Sequence, residues 1–332
     1  MEDRFHAFRE KRARKRGLTS AVIAYTGYGA PGWVRVLCRV LLARPGATDD
    51  RSKKIRGWRS FTSVPVNDVA VIVDIGGIQH RVTADRGGVV DVVLDSELPP
   101  GWHTITVRTD ESEPIESPVF IVDPAVSFGI VSDIDDTVMV TALPRPLLAA
   151  WNTFVLDEHA RRPVPGMAVL LERLTRSHPG APVIYLSTGA WNVAPTLTRF
   201  LSRQLYPAGA LLLTDWGPTH DRWFRSGRDH KRKSLARLAT EFPGIRWLLV
   251  GDDGQHDEDT YGEFVDAHPD NVSAVAIRQL SNSEAVLAGG RSSTPASGNT
   301  GTTERRKGNA AHWVYAHNGA GLAKRLADAG LL

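Results

Sequence analysis

The chain has 332 residues, room for two domains or one large one. Hydrophobic residues make up 42%, enough for a packed core, which excludes a disordered chain. The formal net charge of +3 is mild and does not by itself call for a polyanion, and the single cysteine, Cys38, excludes an intrachain disulfide and suits a reducing cytosol.

Charge placement matters more than the total. Arg4, Arg9, Lys11, Arg12, Arg14, Lys15 and Arg16 crowd the start, against Glu2, Asp3 and Glu10. Residues 1–17 therefore read as a basic, solvated arm. The sharper reading is peripheral attraction to anionic lipid, with Phe5 and Phe8 as apolar anchors. The arm followed by Leu18–Tyr25 mimics a signal peptide, but the apolar part is short and Gly-Tyr-Gly-Ala-Pro follows. Arg, Asp or Pro interrupts every apolar run before about 18 residues, so no membrane-spanning segment is expected.

Residues 18–125 read as an all-β, sandwich-like domain. Val34–Leu41 alternates through its first half, Val69–Ile75 runs apolar into Gly76-Gly77, and His80–Thr83 returns as a hairpin would. Val89–Leu94 and His103–Arg108 are further strands, joined through Pro99-Pro100-Gly101-Trp102. Tyr25-x-Gly27-Tyr28-Gly29 reads as a Gly-aromatic turn of no evident role. No catalytic constellation stands out here, so scaffolding, docking or membrane orientation is the default.

Residues 126–280 alternate strand and helix, with strands near 128–132, 182–186, 210–214, 245–250 and 272–277. That is the pattern of an α/β, doubly wound parallel sheet. The apolar segment 147–156 reads as a core helix or as a wall meeting acyl chains. Residues 281–309 are rich in Gly, Ser and Thr and read as a flexible loop. In 310–332, His312–Tyr315 is strand-like, and Leu322, Arg325, Leu326 and Ala329 recur at helical spacing, so this end is expected to dock on the α/β domain.

The chemistry concentrates at the first α/β strand. Phe128-Gly129-Ile130-Val131-Ser132 ends in Asp133, Asp135 and Asp136. Three carboxylates so close are costly to hold together without a cation among them, and ligands of open α/β sheets bind beyond the carboxyl ends of the strands. A single Asp there would serve as a turn or helix cap. A calcium loop fails, because Val138 stands where Gly is required and Pro144 where the bidentate Glu belongs.

The pattern Asp133-x-Asp135-x-Thr137 after an apolar strand resembles the first motif of the haloacid dehalogenase superfamily of phosphohydrolases. Later stretches fit that resemblance in order: Val183–Leu186 into Ser187 and Thr188, His230-Lys231-Arg232-Lys233 opening an amphipathic stretch, and Trp247–Val250 into Gly251-Asp252-Asp253 with Asp257 beyond. The resemblance implies Asp133 as nucleophile forming an aspartyl-phosphate and Asp135 as general acid and base. It implies Ser187 donating to a phosphoryl oxygen, and Lys231, with Lys233 as the rival, neutralising charge. It also implies Mg²⁺ held by Asp133, the Asp135 carbonyl and Asp252, with Asp257 or Asp253 orienting a water ligand. The intervals between motifs are mostly consumed by the sheet's own helices, leaving a minimal cap. Such an open site suits a phosphate on something bulky.

A narrower likeness is to the fungal actin-patch phosphatidate phosphatases and their bacterial relatives, whose catalytic domain is lipin-related. It rests on Phe128–Val138, Arg162–Gly166, Tyr185–Trp191, Asp215–Gly217, His230-Lys231 and Gly251–Asp257, with Tyr25–Gly29 and the 99–103 turn also matching. One departure is Asp253, where Ser is expected. The likeness implies Mg²⁺-dependent release of phosphate from phosphatidate, giving diacylglycerol, in a cytoplasmic protein acting peripherally at a membrane. Phosphatidate or another bulky phosphomonoester is the expected partner, and nucleic acid is not. A phosphatase for a protein or polynucleotide end uses the same chemistry, and a non-catalytic phosphatidate-binding module is the third reading.

Overall fold

A computed structural model describes residues 8, 10–44, 64, 66–140, 162–214, 220–254, 256–281, 284 and 311–332, with side chains of 220–226 excepted. Several sequence readings fall outside these: most of the arm's first turns, the apolar 147–156 segment, the 215–217 stretch and nearly all of the 281–309 loop. The chain divides into two compact units, Met1–Pro124 with Ala190–Ala194, and Ala125–Gly189 with Pro195–Leu332. No described helix is long and apolar enough to cross a membrane.

In the first unit, β1 (Thr19–Ala30), β2 (Gly32–Ala43), β3 (Ala70–Ile75), β4 (Ile78–Thr83), β5 (Val89–Ser96), β6 (Gly101–Thr109) and β7 (Ile115–Ile121) form one seven-stranded sheet, ordered β4-β3-β6-β7-β1-β2-β5. The sandwich expected from sequence is thus a single sheet whose edge strands β4 and β5 approach each other. Long β1 makes this continuity: it pairs antiparallel with β2 and parallel with β7, and its register shifts between Tyr25 and Tyr28. Alternate residues turn inward, so Val34, Val36, Cys38, Val71, Val73, Ile105, Val107, Val119 and Ile121 form the core.

The Tyr25–Gly29 stretch is strand, not turn. Its glycines serve close packing: a Cβ at Gly27 would lie 2.5 Å from the Arg35 carbonyl oxygen and 2.9 Å from Val119. Tyr25 stacks on Trp191 with ring centres 4.8 Å apart, and its hydroxyl donates to the Trp191 carbonyl at 3.1 Å.

In the second unit, β8 (Phe128–Asp133) leads through β9 (Met139–Val140) and β10 (Arg162–Pro163), a short antiparallel pair, to α1 (Met167–Ser177). There follow β11 (Val183–Ala190), α2 (Ala194–Arg203), β12 (Ala210–Thr214), α3 (His220–Glu241), β13 (Arg246–Asp252), α4 (Asp257–Ala267), β14 (Val272–Arg278), β15 (His312–Ala316) and α5 (Gly319–Asp328). The sheet order is β12-β11-β8-β13-β14-β15, and the pairs β11–β8, β8–β13, β13–β14 and β14–β15 are parallel. Counted along this unit's sheet, that is a doubly wound order of 3-2-1-4-5-6.

All six residues of β8 and all seven of β14 are buried, as expected of parallel strands covered by helices on both faces. α1 packs with α5, and α3 with α4. The chain leaves the centre of the sheet in opposite directions from β8 and β13, so the crevice of a doubly wound sheet opens at their carboxyl ends.

Candidate active site

β8 ends on Asp133, and the chain then turns tightly. The Ile134 carbonyl accepts from the Val138 and Met139 N–H groups at 3.0 and 3.1 Å, and the Asp136 N–H donates to the Met139 carbonyl at 2.8 Å. Asp136 takes φ 57, a left-handed conformation that Asp tolerates better than most residues. Two side chains from elsewhere hold this turn: Tyr206 donates to the Val138 carbonyl at 2.7 Å and Arg278 to the Asp136 carbonyl at 2.6 Å. Every residue from Asp133 to Met139 is buried.

Register brings the other groups alongside. Asp133 pairs with Leu186, the residue before Ser187, while Ser132 pairs with Val250, two residues before Asp252. Asp133, Asp252 and Asp257 are all buried and each offers a carboxylate oxygen within 4.8 Å of the others. Asp257 opens α4, where a helix N-terminus favours negative charge. Its Oδ2 accepts from the Asp252 N–H at 3.4 Å. Asp252 is further held by the Gly254 N–H at 2.7 Å and the Thr137 hydroxyl at 3.4 Å. Gly251 makes this approach feasible, since a Cβ there would come within 2.7 Å of both Asp257 Oδ2 and the Tyr261 ring.

Lys231 reaches in from α3. Its Nζ donates to Asp133 Oδ1 at 2.5 Å and to Asp257 Oδ1 at 2.6 Å. Lys231 lies in the middle of a 22-residue helix, not near its start as the sequence suggested, because α3 begins well upstream. Lys233, the rival, is exposed.

The electrostatics follow from burial. Asp133 is pushed well above the usual carboxylate range by desolvation, opposed by Lys231 and reinforced by Asp257 and Asp135. Asp252 is pushed up by desolvation and by Asp257 and Asp133. Burial works to lower Lys231, but Asp133 and Asp257 outweigh it and hold the ammonium charged. Three buried carboxylates thus face one ammonium, a deficit that a divalent cation would remove. The donors are hard oxygens, the type Mg²⁺ prefers, and they fit such an ion.

Ser187 does not join the triad. Its hydroxyl donates to Asp135 Oδ2 at 2.9 Å, tying the second acidic side chain to the end of β11. Asp253, the departure from the expected motif, is exposed, and its Oδ1 accepts from the Leu280 N–H at 2.8 Å. Asp257, not Asp253, is therefore the neighbour of Asp133 and Asp252. Sequence reasoning missed Tyr206, Tyr261 and Arg278. The last carried a signal, as a charged residue ending the apolar run Val272–Ile277.

Fold and site together define a class: a doubly wound parallel α/β unit with a buried carboxylate–lysine centre at its central strand ends. Residues 128–279 match the sequence model described as "Phosphatidate phosphatase APP1, catalytic domain". Phosphatidate phosphatase APP1 of Saccharomyces cerevisiae is 25% identical over 251 residues, covering 71% of this chain and 41% of that protein. An uncharacterized protein of Schizosaccharomyces pombe is 24% identical over 153 residues, covering 46% of this chain and 25% of its own length. The chain thus spans less than half the length of either relative. The α/β unit is thus similar in sequence to the catalytic domain of the phosphatidate phosphatase APP1 family. A Xanthomonas citri carbohydrate acetylesterase structure aligns at a TM-score of 0.30 and 11% identity, covering 77% of this chain and 68% of that one, too low to support an argument.

Proposed function

We propose that the chain is a Mg²⁺-dependent phosphomonoesterase of haloacid dehalogenase-like design, with phosphatidate as substrate and diacylglycerol and phosphate as products. One observation carries the reading: Lys231 bridging Asp133 and Asp257 beside Asp252, within the stretch that matches the APP1 catalytic domain. The relative bearing that name acts on phosphatidate, which favours this ester over others.

Mg²⁺ would be held by Asp133, Asp252 and Asp257, with the Asp135 carbonyl completing the set, and would neutralise charge on the phosphoryl oxygens. An Asp133 oxygen attacks phosphorus, and the bond from phosphorus to the leaving oxygen breaks as the Asp135 carboxyl gives that oxygen its proton. This leaves an aspartyl-phosphate on Asp133. Asp135 then takes a proton from water as the water oxygen attacks phosphorus, freeing Asp133 and inorganic phosphate. Lys231 balances charge on the attacking carboxylate, and the Ser187 hydroxyl, within reach of Asp135, turns to a phosphoryl oxygen. The β unit and basic arm serve docking at a cytoplasmic membrane face. Lys11, Arg12, Lys15 and Arg16 are exposed, as is Phe8, in keeping with contact to anionic lipid.

The test is a substrate panel: phosphatidate at varied surface concentration in mixed micelles, a soluble phosphate ester, a phosphopeptide and an end-phosphorylated oligonucleotide. Activity is expected to rise with surface concentration of phosphatidate. Equal turnover of the soluble ester would remove the lipid assignment, and preference for the peptide or oligonucleotide would replace it. Binding to phosphatidate vesicles without phosphate release would point to a binding module.

A further inference from the structure

We infer that Arg278 is a positioning residue that aligns the two acidic loops and thereby aims Asp135 at the leaving oxygen; the inference rests on the phosphatase reading above. Arg278 is the last residue of β14, 4% exposed, and pairs in register with Asp252 on β13 and Ala316 on β15. From there its side chain reaches past β13 to the turn that follows β8. Nη1 donates to the Asp136 carbonyl at 2.6 Å, Nη2 to Glu284 Oε1 at 2.7 Å, and Nε to the His317 carbonyl at 3.4 Å. The Arg278 carbonyl accepts from the Asp253 N–H at 3.0 Å, and the Asp253 carboxylate accepts from Leu280 two residues beyond Arg278. One residue therefore grips the turn bearing Asp135 with its guanidinium and the loop bearing Asp252 with its backbone. Asp253, which the family pattern left unexplained, is part of the same brace.

The turn needs such a grip. Asp136 sits in a left-handed conformation, unfavourable for a residue with a side chain. Its N–H is tied to Met139 and its carbonyl to Arg278. Release of the carbonyl frees the Asp136–Thr137 peptide, the next one along the turn from Asp135, to rotate and loosens the turn that carries Asp135. The Asp135 carboxyl keeps its Ser187 bond but loses the fixed backbone that sets its direction, while Asp133, two residues back at the end of β8 and held by Lys231, keeps its place. A buried guanidinium also makes a charge-assisted bond that a neutral side chain cannot replace.

The consequence is specific to the leaving group. An alkoxide needs a proton as the bond to phosphorus breaks, whereas a nitrophenolate leaves without one. Misaimed Asp135 therefore harms alkyl phosphates more than nitrophenyl phosphate. General acid catalysis contributes roughly 10²–10⁴-fold. Arg278→Met in the full chain is expected to lower kcat on phosphatidate or glycerol phosphate at least about tenfold more than on p-nitrophenyl phosphate, with KM little changed. Arg278→Lys, which keeps a donor, and Glu284→Gln, which loosens the guanidinium, are expected to shift the same ratio less. The ratio does not depend on the fraction of folded enzyme, and the milder variants carry the test if Arg278→Met does not fold. Equal loss on both substrates, or an unchanged ratio in all three variants, would overturn the role. A wild-type chain inactive on every ester would instead overturn the phosphatase reading, and this inference with it.

Discussion

Asp133, Asp252 and Lys231 set the behaviour of the site at the scale of single residues. A carboxylate whose folded-state pKa is raised holds its proton longer in the folded chain than in the unfolded one. Stability linked to Asp133 and Asp252 is thus present at acid pH and lost as pH rises through the ordinary carboxylate range and beyond. In chelator, the melting temperature is expected to fall as pH rises above the ordinary carboxylate range, and Mg²⁺ to restore it. Melting curves with EDTA or Mg²⁺ check this. Lys231→Met leaves the carboxylates without the ammonium that faces them, and removing one partner of a buried pair costs about 3–5 kcal/mol. The expected loss is largest in chelator and smaller with Mg²⁺. Gly251→Ala drives a methyl against Asp257 and Tyr261 and is expected to weaken Mg²⁺ binding about 10–100-fold by calorimetry. Asp133 and Asp252 were legible because each ends an apolar run, and Asp257 and Lys231 because they stand where the family resemblance places them. The partners of Arg278 and Tyr206 were not, because both act on backbone carbonyls far away in sequence, and no local pattern encodes those contacts.

At the scale of elements, apolar runs between turn residues located β2 to β6 and the parallel strands β8, β11, β12, β13 and β14. They failed at β1, where Gly27 and Gly29 mimic a turn but serve close approach of neighbouring backbones. They failed again at α3, whose polar first half hides a helix start upstream of Lys231. Pairing of β1 with both β2 and β7 was likewise invisible, since it depends on a register shift. The entry to β1 carries a separate, testable contact. The Glu111 side chain accepts from the Ser20 N–H at 3.0 Å, from the Ser20 hydroxyl at 2.8 Å and from Arg14 at 3.0 and 3.1 Å. The Ser20 backbone bond is the leading cause that holds its carboxyl below the usual range. Stability from a depressed carboxylate is present above the ordinary range and lost as pH falls through the folded-state value. Glu111 is 45% exposed, so Glu111→Gln is expected to cost only about 0.5–1 kcal/mol at neutral pH and less at acid pH. Urea unfolding at the two pH values measures the difference.

For the molecule as a whole, the chain forms two compact units. The first keeps its one thiol, Cys38, in the core, where burial pushes it up to about 12. Thiol reagents are expected to leave the native chain unmodified at neutral pH and to label Cys38 as urea opens the β unit; labelling rate against urea concentration reads that opening. The second unit places the end of β8 next to the end of β13, at the point where the sheet order reverses, and that topology converts two separate apolar-then-acidic motifs into one charged centre. The central claim is that this centre releases phosphate. The direct measurement is phosphate liberated from phosphatidate in mixed micelles, with and without Mg²⁺, by the wild-type chain and by Asp133→Asn. Mg²⁺-dependent release that Asp133→Asn lowers by about 10³-fold or more is the expected result. Release that persists in Asp133→Asn, or that ignores the metal, would contradict it.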